Sequence, residues 1–398
     1  MAAGRINRFG GCALTRLGGT VLTSSATERA DAVSAMDRFR LRYLTACAVT
    51  GTVAAACVLS ACGGSSPDPA AAGSELKPAS QPLTATIPVT MAQQSVGGGV
   101  SAVRAIVHVS VGGGPSVPVL LDTGSPGLRL LPKAIGSDAT NTGRVIGATF
   151  GGGESFVGPV ADARVTVGSL STPSPIAVQV IDRVLCPQKQ PGCNPNTYLQ
   201  AAFGAIGAEG IMGIDTGDKY GQRVYSPVLQ MASPYSDGFS LQLAPTGSGK
   251  LILGTPPVGP GTVTAPLTRS SNPDAFPSGI LPYTRDVTMC WSAGAARSCG
   301  ITDFDIGTPS TIVSPGSLPN APTKTESGTQ VIAPGTSVSV KTPSGASVWQ
   351  YTANLNYGNG LTQLTSSIGP GFNSGIVPFY THTIGWNLKT GQIVVSPR

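Results

Sequence analysis

Histidine is almost missing from this sequence. The 398 residues include only two, His108 and His382. Ser–His or Cys–His catalysis needs a histidine beside the nucleophile, and no Gly-x-Ser-x-Gly elbow stands at a fitting place. The sequence also argues against a zinc site. The cysteine spacings do not match those of zinc knuckles, and only two histidines are present as further ligands. We therefore expect both histidines to be structural or exposed, and we expect neither a metal nor another cofactor.

Charged residues and long helical patterns are scarce as well. Only 11% of the residues are charged, and seven Arg against three acids within residues 1–42 account for most of the net charge of +6. The remainder has no basic patch of the kind that binds nucleic acid. Short runs of Val, Ile, Thr and Leu alternate with turns that use the 53 Gly and 34 Pro. This pattern predicts a mostly β protein, and the length suffices for two lobes with a sizeable core.

The N-terminal region has the layout of an export signal. Within residues 36–62, three arginines precede an apolar stretch at residues 43–58 and the sequence Leu59-Ser-Ala-Cys62. The apolar stretch is short and rich in Ala and Thr for a membrane-spanning helix, although an uncleaved anchor remains the alternative. The segment resembles a bacterial lipoprotein signal peptide, which is cleaved before a lipid-bearing cysteine.

That resemblance implies a signal peptide over residues 36–61 and a lipid anchor at Cys62. We expect residues 1–35 to lie upstream of the true start, and residues 62–84 to form a flexible tether because they are rich in Gly, Ser, Pro and Ala. The exported protein is then expected at the outer face of the cell membrane or in the cell envelope.

Four cysteines lie beyond this segment and form two close pairs. Cys186 and Cys193 bracket one short loop, and Cys290 and Cys299 bracket another. Three connectivities are possible, and the simplest joins each pair locally by a disulfide, one in each lobe. Disulfides agree with export, since they persist in oxidising compartments.

Two acidic turns carry the main functional signal. Asp122-Thr-Gly-Ser125 ends an apolar run, where burial of an unpaired charge is costly. Gly124 permits a tight turn, and the hydroxyls of its neighbours can hydrogen-bond around the acid. One such turn can be ordinary strand-end chemistry. A similar turn, Asp305-Ile-Gly-Thr308, follows far along the chain, and the pair predicts two similar lobes that face one another.

A third Asp-Thr-Gly, residues 215–217, competes for the same role. It continues into the polar residues 218–221, whereas the other two motifs continue into apolar residues. We therefore interpret Asp215 as part of a surface turn.

A glycine-rich hairpin lies between these motifs. Two strand-like arms within residues 148–158 flank Gly151, Gly152 and Gly153. A glycine tip lets backbone approach a ligand closely, although a plain hairpin tip is the alternative.

In combination these motifs resemble the pepsin-like aspartic proteases, and most of all the bacterial, mycobacterial-type cell-surface members. The resemblance covers roughly residues 85–398 and rests on the two acidic turns, Gly210-Ile-Met-Gly-Ile214, residues 239–254 and residues 386–397. It implies a two-lobed, mostly β fold with the active-site cleft between the lobes. The implied lobes are residues 85–245, with Asp122 and the flap, and residues 246–398, with Asp305.

The resemblance also implies roles for individual residues. Asp122 and Asp305 would be the catalytic pair of an exported aspartic endopeptidase that acts as a monomer on protein or peptide substrates. Residues implied to support this pair are Thr123, Gly124, Ser125, Gly307 and Thr308. The flap that contacts substrate would consist of Phe150, Gly151, Gly152 and Gly153.

Departures from the family pattern at Ile306 and in the flap motivate an alternative, a catalytically weak or inactive binding lipoprotein on the same fold. Ile306 stands where the family usually has Thr, Phe150 where the flap usually has Tyr, and Arg129 where that Tyr usually meets a Trp. The second lobe offers only Asn373-Ser-Gly375 for its apolar-apolar-Gly element. A passive envelope protein would explain the anchor but not the paired acids.

Overall fold

The computed structural model of the chain describes residues 84–398 apart from 98–99, 187–192, 218–221, 272–275, 277 and 367. The predicted signal peptide, Cys62 and all of the predicted tether before residue 84 lie outside the described residues. Within the described part, no helix is long and apolar enough to cross a membrane.

Strands dominate, which confirms the prediction of a mostly β protein. The first fourteen are β1 (Ala85–Gly97), β2 (Val100–Val111), β3 (Val117–Asp122), β4 (Pro126–Leu130), β5 (Thr140–Thr149), β6 (Ser155–Ala163), β7 (Val165–Val167), β8 (Leu170–Ser171), β9 (Ile176–Val180), β10 (Arg183–Leu185), β11 (Gly210–Ile214), β12 (Gly238–Gln242), β13 (Gly247–Leu253) and β14 (Val263–Pro266). The others are β15 (Val287–Ala293), β16 (Ala296–Asp303), β17 (Thr311–Val313), β18 (Thr323–Glu326), β19 (Thr329–Ile332), β20 (Ser337–Lys341), β21 (Ser347–Thr352), β22 (Thr362–Leu364), β23 (Phe372–Asn373), β24 (His382–Asn387) and β25 (Gln392–Pro397). Among the described residues, helical structure comprises α1 (Tyr198–Ala202) and 3-10 turns at Pro132–Ala134, Gly204–Ile206, Pro227–Gln230 and Val377–Tyr380.

The strands form two sheets. The first runs in the order β10-β6-β9-β4-β11-β3-β2-β1-β13-β12-β24-β25-β14, with β5, β7 and β8 off this path. The second runs in the order β18-β19-β22-β17-β23-β16-β15-β20-β21. The first sheet therefore takes strands from both ends of the described chain, and the lobe boundary at residues 245/246 stays a prediction.

The two sheets repeat one local plan around the acidic turns. In the first sheet β3 leads into its turn, β4 leaves it, and β11 lies between them, parallel to β3 and antiparallel to β4. In the second sheet β16, β17 and β23 have the same relation. Every residue of β11 is buried. A buried central strand, paired on both edges, thus supports each acidic turn from below.

Both predicted disulfides are formed, Cys186–Cys193 and Cys290–Cys299. The second joins directly opposite residues of β15 and β16. The local pairing expected from the spacing is therefore confirmed.

Candidate active site

The structure brings Asp122 and Asp305 together at one point. Asp122 is the last residue of β3, and Asp305 lies two residues beyond the end of β16. Their carboxyl groups hydrogen-bond to one another, and their exposed fractions are only 5% and 8%. A pair of buried carboxyl groups in contact cannot easily carry two charges, so the pair is arranged to share a proton.

Glycine is required next to each acid for this approach. A Cβ atom on Gly124 would lie 2.5 Å from Cγ of Asp305. A Cβ atom on Gly307 would collide with Oδ1 of Asp122. Each turn therefore leaves room for the carboxyl group of the other.

Each acid is held by donors of its own turn. The N–H of Gly124 donates to Oδ1 of Asp122 at 2.7 Å, and the hydroxyl of Ser125 donates to Oδ2. In the second turn the N–H of Gly307 and the hydroxyl of Thr308 donate to the two oxygens of Asp305, both at 2.7 Å. The inner and outer oxygens of both acids are thus fixed in orientation before any substrate arrives.

Burial, and next the charge of Asp305, raise the pKa of Asp122 to about 7. The hydrogen bonds from Ser125 and Gly124 act in the opposite direction but do not cancel this effect. Near neutral pH, the pair is therefore poised to hold one proton and one negative charge, as general acid–base catalysis requires.

The two turns are also tied to one another through Thr123. Its hydroxyl donates to the carbonyl of Phe304 at 2.7 Å and accepts from the N–H of Ile306 at 2.9 Å. Ile306, at the equivalent position of the second turn, has no hydroxyl group and so cannot form matching hydrogen bonds to the first turn. It packs instead into the main hydrophobic core, with 1% of its surface exposed.

The acids lie on the floor of a cleft of about 1080 Å³. Residues on its walls come from the flap, from α1 and from both acidic turns: Phe150, Gly151, Gly152, Glu154, Tyr198, Phe203, Asp122 and Asp305. Gly153 closes the flap turn with a φ of 88°. The predicted flap thus stands over the predicted acids as a β5–β6 hairpin.

The chain was compared with protein-family models, with curated proteins and with solved structures. The family model of the PE-PGRS C-terminal aspartyl peptidase-like domain matches residues 85–271. The crystal structure of the aspartic proteinase from Irpex lacteus superposes with a TM-score of 0.51 over 79% of this chain and 97% of that one, at 16% identity. The chain has the pepsin-like aspartic protease fold. The resemblance of the sequence motifs to the pepsin-like aspartic protease superfamily is confirmed.

A curated relative agrees over part of its length. PE cleavage protein A of Mycobacterium tuberculosis, in strains CDC 1551 and H37Rv, is 27% identical over 168 residues. The match covers 38% of this chain and 29% of that protein, so the chain spans under a third of the relative.

On this pepsin-like fold, the flap differs from the family pattern as the sequence indicates. The ring of Phe150 packs against Phe156 at 4.7 Å, and the guanidinium of Arg129 lies 5.8 Å from its centroid. Arg129 is 2% exposed and donates to the carbonyls of Pro126 and Gly127. A cation–π contact thus occupies the place of a hydrogen-bonded Tyr–Trp pair.

Asn373 is a site residue that the motifs did not reveal. It appeared in the sequence only as a defect in the apolar-apolar-Gly element. In the structure, β23 carries it beneath the second turn, where its Nδ2 donates to Oδ2 of Asp305 at 2.8 Å. Its Oδ1 accepts from the N–H of Gly375 at 2.9 Å, which fixes the amide orientation. The apparent defect therefore supplies Asp305 with a third donor.

The interpretation of Asp215 as a surface turn is wrong. Its exposed fraction is 4%, because β11 runs beside β3 and carries it next to the active-site turn. Its N–H donates to the carbonyl of Ser125, and its carboxylate lies 3.9 Å from Arg285. The fully apolar strand that precedes it was the available signal of burial. The contact of Asp122 is nevertheless with Asp305.

Proposed function

We propose that the chain is an exported, membrane-anchored aspartic endopeptidase that cleaves extended peptide segments. One observation carries this proposal: Asp122 and Asp305 share a hydrogen bond on the floor of an open cleft, each with its own fixed donors. Structural support alone would not need two buried acids in contact, because such a pair is costly to bury. This geometry supports the use of the pair for proton transfer.

The chemistry follows from the shared proton. The two acids hold one proton between them, and burial raises the pKa of Asp122. The ionised carboxylate takes a proton from a water molecule, whose oxygen forms a bond to the peptide carbonyl carbon. The protonated acid donates to the carbonyl oxygen as it gains charge. When the tetrahedral intermediate breaks its C–N bond, the leaving amine takes up a proton from the pair, and a hydroxyl group of the intermediate returns a proton to the pair, which again holds one.

The cleft supports an extended peptide as substrate. It runs beneath the flap hairpin, and its glycines expose backbone groups that can pair with a peptide strand. The Mycobacterium tuberculosis relative is called a cleavage protein, which supports a hydrolytic role here. We further propose that the enzyme acts as a monomer, anchored through Cys62 at the outer face of the membrane or in the envelope.

The test of the proposed activity is hydrolysis of a mixed peptide library between about pH 3 and 7. Asp122→Asn and Asp305→Asn should each lower cleavage by at least about 10³-fold, since either change removes one proton-transfer partner. Asp162→Asn is the matched control, because Asp162 is an exposed acid on β6. Activity that survives either active-site substitution would exclude the mechanism. Peptide binding without any cleavage by the unsubstituted protein would instead support the inactive binding lipoprotein.

The anchor is tested separately from the chemistry. Cys62→Ser should move the protein from the membrane fraction to the soluble exported fraction, with hydrolysis unchanged. Retention of the variant in the membrane fraction would contradict the lipid anchor.

A further inference from the structure

Two arginines line the cleft in contrasting surroundings. The guanidinium nitrogens of Arg285 lie close to the carboxylate oxygens of three acids, Asp303 at 3.0 Å, Asp286 at 3.7 Å and Asp215 at 3.9 Å. Burial lowers its pKa, but these carboxylates outweigh that effect and raise the pKa above its ordinary value. The charge of Arg285 is thus fully compensated by the chain itself.

Within the part of the chain that the structure describes, the hydrogen-bond acceptors of Arg104, on β2, are neutral groups. Its Nε donates to Oε1 of Gln94 at 2.7 Å, and its Nη1 donates to the carbonyl of Gly307 at 2.5 Å. Among the described residues, no carboxylate oxygen lies within 4.0 Å of its guanidinium nitrogens. A guanidinium has five N–H donors, so three remain beyond these two bonds.

The side chain is nevertheless held rigidly. Nε2 of Gln94 donates in turn to the carbonyls of Ala201 at 3.0 Å and Ala202 at 3.2 Å. Arg104 is therefore fixed between the end of α1 and the second acidic turn. A cation that is positioned in advance loses little conformational entropy when it binds a ligand.

The charged groups that face Arg104 do not neutralise it. Burial lowers its pKa, and the charges of Asp305 and Asp122 raise it by less, so that the net direction is downward. Both acids already accept hydrogen bonds from their own turns. Glu154 of the flap accepts from the hydroxyl of Tyr198, which stands near Arg104. The cleft thus contains a half-buried cation without a direct anionic partner among the described residues.

We propose that Arg104 is a specificity-determining residue that binds an acidic side chain of the substrate close to the scissile bond. This inference rests on the proposed function, since it names the substrate class of the same cleft. A Glu or Asp carboxylate would accept from the remaining guanidinium donors in a charge-assisted, bidentate pair. Arg285 would not compete for it, because its own carboxylates are already in place.

The experiment compares peptides that differ only in Glu against Gln, placed in turn at each position around a cleavage site. Both peptide ends are blocked, so that the side chain is the only variable carboxylate. The native enzyme should cleave the Glu peptide about tenfold faster or more in kcat/KM at one position. Arg104→Gln should bring this ratio to about one. A general loss of rate from the missing bond to Gly307 affects both peptides and cancels in the ratio.

Two controls separate the possible outcomes. Arg183→Gln removes an exposed arginine outside the cleft and should leave the Glu-to-Gln ratio unchanged. The same peptides are also titrated calorimetrically against Asp122→Asn, where the Kd ratio should favour Glu and lose this preference in the double variant with Arg104→Gln. Cleavage with equal rates at every position, or a preference that survives Arg104→Gln, would overturn the inference and leave the protease intact. Absence of cleavage would overturn the proposed function, and the binding ratio would still decide the role of Arg104.

Discussion

The two acidic turns have the same backbone plan but different neighbours. Both place a glycine against the opposite acid, and both supply one N–H and one hydroxyl to their own carboxylate. Only the first turn has a hydroxyl residue after its acid, and Thr123 uses it to bind two backbone groups of the other turn. The second turn buries Ile306 at that position and instead receives a donor from Asn373.

This difference separates two tasks: bringing the two acids into contact, and adding hydrogen bonds that tie the turns together or orient a carboxylate. Two identical turns would each perform both tasks. Backbone donors and the glycines suffice to bring the acids into contact, and these are present on both sides. The cross-tie between the turns is made from one side only, and the extra carboxylate donor comes from the other. The asymmetry therefore affects rigidity and proton distribution, and it leaves the contact between Asp122 and Asp305 in place.

The largest expected effect concerns the proton on the first turn. Because the folded pKa of Asp122 is about 7 and an ordinary Asp titrates near 3.9, the folded chain binds this proton more tightly than the unfolded chain does. The stabilisation is present below about pH 4 and is lost as the pH rises through about 7. Asp122→Asn, which carries no charge, should exceed the native protein in unfolding free energy at pH 8 by up to about 4 kcal/mol, and by little near pH 4.

Urea unfolding at both pH values measures this gap. Asp182→Asn is the control, since the side chain of Asp182 is 64% exposed and lies outside the cleft. An Asp122→Asn gap that is equal at pH 4 and pH 8 would show that Asp122 does not carry the shared proton.

The sequence motifs predicted what depends on local chemistry. An acid, a glycine and a hydroxyl within four residues encode one turn, and sequence separations of seven and nine between cysteines suffice to predict local disulfides. Short motifs could not predict contacts between residues that are far apart in the sequence. Arg104 meets the carbonyl of Gly307 across 203 residues, and nothing adjacent to either of them records that contact. Asn373 was misjudged for the same reason, because its value depends on Asp305, 68 residues away.

Removal of the cross-tie should have the next largest effect. Thr123→Val keeps the shape of the side chain but leaves the carbonyl of Phe304 and the N–H of Ile306 without their buried partner. Such losses cost about 1–3 kcal/mol for a buried group, so we expect the unfolding free energy to fall by at least that amount. Thr123→Ser keeps the hydroxyl and should lose less. A Thr123→Val variant that is as stable as the native protein in urea unfolding would mean that the hydrogen bonds do not make the tie.

The smallest expected effect tests whether the second turn could accept a symmetric tie. Ile306→Thr and Ile306→Val have nearly the same shape, and each loses the terminal methyl group of Ile306, so their difference isolates one hydroxyl. If the backbone of the first turn offers the partners that Phe304 and Ile306 offer Thr123, the Thr variant should match or exceed the Val variant in unfolding free energy, by less than about 1 kcal/mol. A Thr variant less stable than Val by about 1–3 kcal/mol would mean that the hydroxyl is buried without a partner. In that case the backbone around Ile306 offers no hydrogen-bond partner to a hydroxyl group. An apolar side chain is then the better fit at this position, and the second turn could not form a tie like that of Thr123.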